Sequence, residues 1–454
     1  MKILGIDIGT TTITALVLDS VTSYVVKSCT LPNDSFINSK GFERIQNPEI
    51  IIATVKSAIK NVIENNEIDA VGVTGQMHGI LYLDKDNKAC SPLMIWQDER
   101  GNEIFENGET YAEYLTKLTG IKAASGFGLT THFYNTKNNL VPENAVMLCT
   151  IHDYLVALIT GERPVTHTSD GASLGFFDLE KLEFDSKALA IAEIDKSFLP
   201  TVIKGTSLAG TSNCDFLPYG IPVGVAIGDN QASFLGSVDD FSESVLVNVG
   251  TGSQISFVTE KPFITTSGEI RPLTEDKYIY VGSSLCGGRA YAILKSFFSS
   301  CAEMLGGSDE KLYNKMDAMA EKVKSTDNRM SVDCTFCGTR ESPSQRGSIR
   351  NIDDKNFTPE GLIYGVLDGV CVELRNMYAQ ATSSCTSSSH KKLICSGNGL
   401  RKSNLWREIF EEQFKLKAEL PKHSEEACIG ACVFASVASG KFKNIENAQS
   451  ILLR

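Results

Sequence analysis

The strongest constraint on the fold is a hairpin that the chain writes twice. Residues 2–18, KILGIDIGTTTITALVL, set β-branched and aliphatic residues on both sides of a Gly-Thr turn, and the spacing predicts strand, tight turn, strand. The pattern returns at 244–258, SVLVNVGTGSQISFV, with Gly250-Thr251-Gly252-Ser253 in the place of Gly9-Thr10-Thr11-Thr12. One Gly-Thr hairpin alone carries little meaning; a matched pair half a chain apart does. It predicts two similar domains, 1–238 and 239–454, facing each other across a cleft and each presenting a phosphate-binding turn, with the boundary near 237–244.

The segments between the hairpins alternate. The periodicity predicts a helix over 48–65, a strand over 70–75 and a strand-to-helix passage over 143–160. In the second half it predicts helices over 289–305, 309–324, 358–382 and 402–414, and a strand over 392–398 that enters a glycine turn. This is α/β organisation. The Ser-rich stretch 383–389 reads as a helix-to-strand loop rather than a tether.

A chain of 454 residues can bury two cores. Its formal net charge of -12 opposes nucleic acid and acidic membrane surfaces, so neither is an expected partner. Phosphates would instead be held locally, by backbone N–H groups, Mg²⁺ and a few side chains. The opening MKILGIDIGT interrupts its apolar stretch with an acid and two glycines, which does not make a secretory signal, and no apolar run reaches the roughly 20 residues of a membrane span. The 13 cysteines have no framework spacing and read as reduced thiols of a cytoplasmic protein; the CxxC at Cys334 and Cys337 lacks the second pair or the histidines of a zinc site. A homodimer is compatible with the sequence, which carries no readable signal of oligomeric state.

Glycine lets a turn approach a phosphate closely, and threonine hydroxyls add donors. Asp7 lies two residues before the first turn, where a carboxylate can hold Mg²⁺ through water as the metal bridges ATP phosphates. The equivalent residue of the second hairpin is Asn248, so one metal-side acid is expected, not two. Residues 221–237, IPVGVAIGDNQASFLGS, predict a strand ending at Gly228-Asp229-Asn230 and then a helix. Asp229 is either a helix N-cap or, at the expected cleft, the base that takes the proton of an acceptor hydroxyl; its position just before the second hairpin favours the base. Three segments suit a polyol: GQMHG at 75–79, WQDER at 96–100 and GFGLTTHFYNTK at 126–137. Sugars take stacking and many hydrogen bonds, which makes Gln76, Met77, His78, Trp96, Gln97 and Asp98 candidates, although a lone His or Trp at a strand end is more often structural. Arg340 and Arg346 in GTRESPSQRG read as structural.

Together these motifs resemble the FGGY family of carbohydrate kinases over essentially the whole chain. GIDIGTTT, GQMHG, WQD, GDNQAS, NVGTGS, GTR..P...RG and SGNGL before SNLW stand in the family's order and at its approximate spacings. WQDER, SGFG, TIHDYLVALITG and SDGASLGFF look most like sedoheptulokinases and, more loosely, xylulokinases. The resemblance implies an α/β fold of two actin-like (ribonuclease H-like) domains, ATP as donor with Mg²⁺, and closure on a small sugar, sedoheptulose first. It implies Asp229 as catalytic base, Asp7 and Asp229 beside the metal, and Thr10, Thr11, Thr12, Gly250, Thr251 and Gly252 at the phosphates. It further implies Gln76, Met77, His78, Trp96, Asp98 and Asn230 at the sugar. Gly287 and Gly288 would lie near the nucleotide, and Gly397, Asn398 and Gly399 on the adenine side, with Ser403 or Asn404 contacting the base. Two departures stand out: the adenine turn is SGNGLRKSN rather than a run of three glycines, and Tyr134 occupies a position where tryptophan is common. The competing class is an actin-like ATPase that transfers nothing; the sugar-reading GQMHG and WQD segments argue against it.

Overall fold

Both predicted hairpins form in a computed structural model, which describes residues 1–39, 41–307, 312–324, 328–339, 342, 344–385 and 390–453. Arg340 and the predicted helix and loop residues 309–311 and 386–389 lie outside the described residues. In the first half, β1 (Lys2–Ile8), β2 (Thr12–Asp19) and β3 (Tyr24–Pro32) run as an antiparallel meander. Next come α1 (Pro48–Ile63), β4 (Ala70–Gly75), α2 (Ile151–Thr160), α3 (Thr168–Leu174), β5 (Leu208–Thr211), β6 (Pro222–Gly224), β7 (Ile227–Gly228) and α4 (Asp229–Ser237). Strand order in this seven-stranded sheet is β5-β6-β4-β1-β2-β3, with β7 pairing β4. Strands β4, β6 and β7 are parallel to the centre, as βαβ crossovers require. Helix α1 starts where Asn47 accepts from the amides of Glu49 and Ile50 and Pro48 fills the first turn. Its stripe Ile51, Ile52, Val55, Ala58, Ile59 and Val62 enters the core beside Leu4, Ile6, Ile13 and Val17.

In the second half, β8 (Ser244–Val249), β9 (Ser253–Thr259), β10 (Glu269–Pro272), β11 (Tyr278–Ser284), α5 (Gly288–Met304), α6 (Pro359–Ser384), β12 (Lys392–Ser396) and β13 (Lys417–Glu419) follow. The sheet order is β10-β11-β9-β8-β12-β13. Here β8 pairs antiparallel with β9 and parallel with β12, as β1 does with β2 and β4. The duplication therefore extends from the hairpin to the sheet around it. Among the described residues no helix is long and apolar enough to cross a membrane.

The compact units are not two contiguous halves. One comprises 1–239, 271–278 and 422–454; the other comprises 240–270 and 279–421. These units differ from a division at 238/239 in two segments. The larger is helix α7 (Glu426–Ala438), whose small residues pack it against α4. A Cβ on Gly430 would fall 1.8 Å from the Ala232 carbonyl oxygen, and one on Gly236 would fall 2.0 Å from that of Glu426. Only glycine permits this crossing, which holds α4 and its first residue, Asp229, in place. The shorter segment is anchored by Gln231 Nε2 donating to the Pro272 carbonyl (3.0 Å) and by the Tyr278 hydroxyl donating to Leu179 (2.7 Å).

Candidate active site

The first turn keeps its carbonyl oxygens occupied. Asn33 Nδ2 donates to Gly9 O (2.9 Å), Gln46 Nε2 to Thr10 O (2.8 Å) and the Asn33 amide to Thr11 O (2.9 Å). With those oxygens taken by the unit's own donors, the turn has fewer negative dipole ends to oppose a phosphate, which suits an anion site. Thr11 and Thr12 are exposed, while the Thr10 hydroxyl is engaged: it donates to Gln76 Oε1 and accepts from Trp96 Nε1, each at 3.0 Å. Thr10 thus ties the turn to GQMHG and WQDER. Asp7, at the end of β1, has a buried Oδ1 without a partner. Burial, and then the nearby Asp229 and Glu425 charges, push its carboxyl up to about 7, against the pull of His152.

Asp229 is the first residue of α4, behind the cap residue Gly228, and its carboxylate makes no capping bond. Asn230 Nδ2 donates to its Oδ1 at 3.0 Å. Burial raises its pKa, and the Asn230 hydrogen bond, Arg271 and His152 work the other way. An acid free of the cap, oriented by its neighbour and raised toward neutrality is equipped to accept a proton.

GQMHG brings two further candidates close to this acid. Met77 packs on Gly228, so closely that a Cβ there would meet its Cε at 2.4 Å. His78 holds a left-handed backbone, φ 71°, unusual for a non-glycine residue and of the kind that collects at functional sites. Its ring stacks on Phe127 (4.9 Å between centroids, 3° between planes), and Nδ1 bonds the Ser173 carbonyl at 2.8 Å. Nδ1 must donate there, which leaves Nε2 as an acceptor for Arg271 at 3.4 Å. Trp96 is 39% exposed, with its Nε1 spent on Thr10. Asp98, by contrast, is 1% exposed and saturated: Oδ1 accepts from the amide and Nε of Arg100, and Oδ2 from Arg100 NH2 and the Arg44 amide. The structure places it as the anchor of the WQDER loop, with no acceptor direction left for a sugar. The segment 126–137 is mostly buried helix, in which His132 Nδ1 meets the Tyr82 hydroxyl (2.9 Å) and burial lowers the imidazole pKa to about 4.

Several residues around this acid were not singled out from the sequence. Arg271, 7% exposed, reaches Met77 Sδ (3.6 Å) as well as His78. Behind Asp229 lies a fully buried group: His152 Nε2 is 3.1 Å from Asp170 Oδ1, at ion-pair distance rather than in an aligned hydrogen bond. Burial works against the charge of His152, but Asp170, then Asp153 and Asp229, raise its pKa to about 9. Asp153 is itself raised by burial. His152 and Asp170 stand in TIHDYLVALITG and SDGASLGFF, segments whose polar residues inside apolar runs were the available clue.

In the other unit, among the described residues, backbone amides hold the second turn. Gly288 N donates to Gly250 O (2.8 Å), and Gly287 N and Arg289 N both donate to Thr251 O (3.0 Å). A Cβ on Gly287 would lie 2.2 Å from Gly252 O and one on Gly288 2.6 Å from Gly250 O, so both glycines are required as the floor of the turn. Asn248 Nδ2 donates to Ser396 Oγ at 2.8 Å. After β12, Gly397 takes φ 83° and opens a short helix, 397–402, in place of a plain turn; Asn398 is exposed and Gly399 rests on Trp406 and Val249. The Asn404 amide is held by Glu408 (2.7 Å) and Arg407 (3.0 Å).

Among the described residues no three His, Cys, Asp or Glu side chains form a metal cage. Mg²⁺ needs none, because it draws most of its ligands from water and phosphate and takes one or two protein carboxylates, a role the orphaned Asp7 oxygen fits.

Residues 2–236 match the N-terminal domain of the FGGY family of carbohydrate kinases and residues 245–439 its C-terminal domain. A sedoheptulokinase of Mus musculus is 27% identical over 415 residues, 82% of this chain and 85% of its own. A gluconokinase of Bacillus subtilis (strain 168) is 23% identical over 470 residues, 99% and 90% of the two chains. The solved structure of xylulose kinase from Rhodospirillum rubrum superposes with a TM-score of 0.87 at 20% identity, over 100% of this chain and 93% of that one, and shares its fold. With both domains matched in order, the chain belongs to the FGGY family of carbohydrate kinases.

Proposed function

We propose that this carbohydrate kinase transfers the γ-phosphoryl group of ATP to a ketose, sedoheptulose giving sedoheptulose 7-phosphate before D-xylulose. The observation that carries the reading is Asp229, a raised, uncapped carboxylate held by Asn230 in the same unit as Met77, His78 and Arg271. Its carboxylate takes the proton of the acceptor hydroxyl as that oxygen attacks phosphorus in line with the leaving ADP oxygen. Met77, His78 and the partly exposed Trp96 orient the sugar, and Thr10 couples their segments to the first turn. The amides of 9–12 and of 250–252 serve the phosphates. Bound Mg²⁺, held through Asp7, would neutralise charge on those phosphates. The ketose assignment draws on the match to a sedoheptulokinase over most of both chains.

Coupled ADP formation, measured with sedoheptulose, xylulose, ribulose, fructose, gluconate and glycerol, tests class and substrate together. The expected order of kcat/KM places sedoheptulose first. Asp229→Asn should lower transfer roughly 10²–10⁴-fold while nucleotide binding persists. Near-wild-type transfer by that variant would overturn the assignment of the base.

A further inference from the structure

We propose that α3 is a shared positioning element, in which Ser173 sets His78 and Ser169 sets Asp229. The inference rests on the ketose-kinase reading of those two residues. Ser173 Oγ accepts from the His78 amide at 3.2 Å and donates to the Asp170 carbonyl at 2.9 Å, while the Ser173 carbonyl takes His78 Nδ1. The strained backbone of His78 is therefore held from one side by one residue. One turn back on the same helix, Ser169 Oγ accepts from the amide of Gly228, the residue before Asp229, at 3.2 Å. It also donates to Asp170 Oδ2 (2.9 Å) and meets His167 Nδ1 (2.9 Å). Asp170 in turn faces His152. Ser169 and Asp170 are fully buried and Ser173 is 2% exposed, so no water replaces a lost hydroxyl at little cost. Neither serine needs to touch substrate. A rigid link between a sugar contact and a base keeps their separation constant, the variable to which an in-line transfer is most sensitive.

The two serines have separable signatures. Ser173→Ala takes the acceptor from the His78 amide, while the carbonyl of residue 173 still meets Nδ1, and should raise KM for the ketose about tenfold, with kcat within about twofold. Ser169→Ala releases the backbone before Asp229 and should lower kcat about 10- to 100-fold, with KM within about twofold. Thermal unfolding and ATP binding are measured alongside to establish that each variant is folded. Should Ser169→Ala not fold, Ser169→Cys retains a weak acceptor and should show an intermediate kcat. The proposal is overturned if folded variants leave both constants unchanged, or if each variant moves KM and kcat together. Loss of ketose turnover in the wild-type protein, or retention of it in Asp229→Asn, would instead remove the functional reading beneath it.

Discussion

Asp7 and Asn248 occupy equivalent places in the two hairpins, two residues before a Gly-Thr turn and beside a parallel strand. Their surroundings differ in kind. Asn248 has its partner, Ser396 Oγ, whereas Asp7 has a buried oxygen with none. The turns differ in the same sense: side chains of Asn33 and Gln46 hold the first, and the backbone of 287–289 holds the second. A satisfied amide is structural; an orphaned carboxylate is kept at a cost in stability, and at the first hairpin it stands where the proposed reading puts Mg²⁺. One fold thus carries one hairpin with an unsatisfied acid and one whose equivalent residue is satisfied.

The largest effect should come from removing that asymmetry. Asp7→Asn is expected to lower kcat by about 10²-fold or more at saturating Mg²⁺, measured by coupled ADP formation. Stability should move the opposite way. The Asp7 carboxyl is raised from 3.8 to about 7, so its favourable share of the folding energy is present below the unfolded value and lost as pH climbs through 7. The variant should gain at most about 4 kcal/mol over wild type at pH 8 without Mg²⁺, and almost nothing below pH 4, by urea denaturation. No gain at pH 8 would show that Asp7 is paired.

Asn248→Asp installs the missing acid. It is expected to weaken ATP binding about tenfold through repulsion of phosphate, read by titration calorimetry. Tighter binding in excess Mg²⁺ would instead mean that the second hairpin accepts a metal. Glu373 supplies a control in the other unit: its Oε2 is also buried without a partner, and burial raises its carboxyl from 4.5 to about 7. Glu373→Gln should repeat the stability gain, at most about 3 kcal/mol at pH 8 and vanishing below pH 4.5, yet leave kcat unchanged. A matching fall in kcat would break the distinction between a buried acid and a working one. The smallest effect is expected from Trp96→Phe, which keeps the ring and loses the bond to Thr10; KM for the ketose should rise a few-fold, about 1 kcal/mol.

Much of this was legible in the sequence. The two hairpins formed within a residue of the predicted limits, the strand over 70–75 appeared as read, and the helices at 48–65, 289–305 and 402–414 differed only at their ends. Asp7, His78 and Asp229 were singled out because each stands within two residues of a glycine at or just past a strand end, and the structure gives each an unusual setting: an orphaned oxygen, a left-handed backbone and an uncapped helix start. Asp98 looked equally suitable, but its four acceptor directions are consumed by Arg100 and the Arg44 amide. Arg271 was invisible because its partners lie 193 and 194 residues away along the chain.

By itself, then, the sequence determined the repeated hairpin, its two turns and the contrast of Asp7 with Asn248, since strand, turn and glycine preferences act over a few residues. Tertiary structure alone decided that 271–278 and 422–454 belong with the first hairpin. It also decided that Asp98 is spent on an ion pair and that a serine helix underlies both His78 and Asp229. These outcomes depend on which distant groups meet inside a close-packed interior, where most buried donors and acceptors find partners, and no local pattern encodes that meeting.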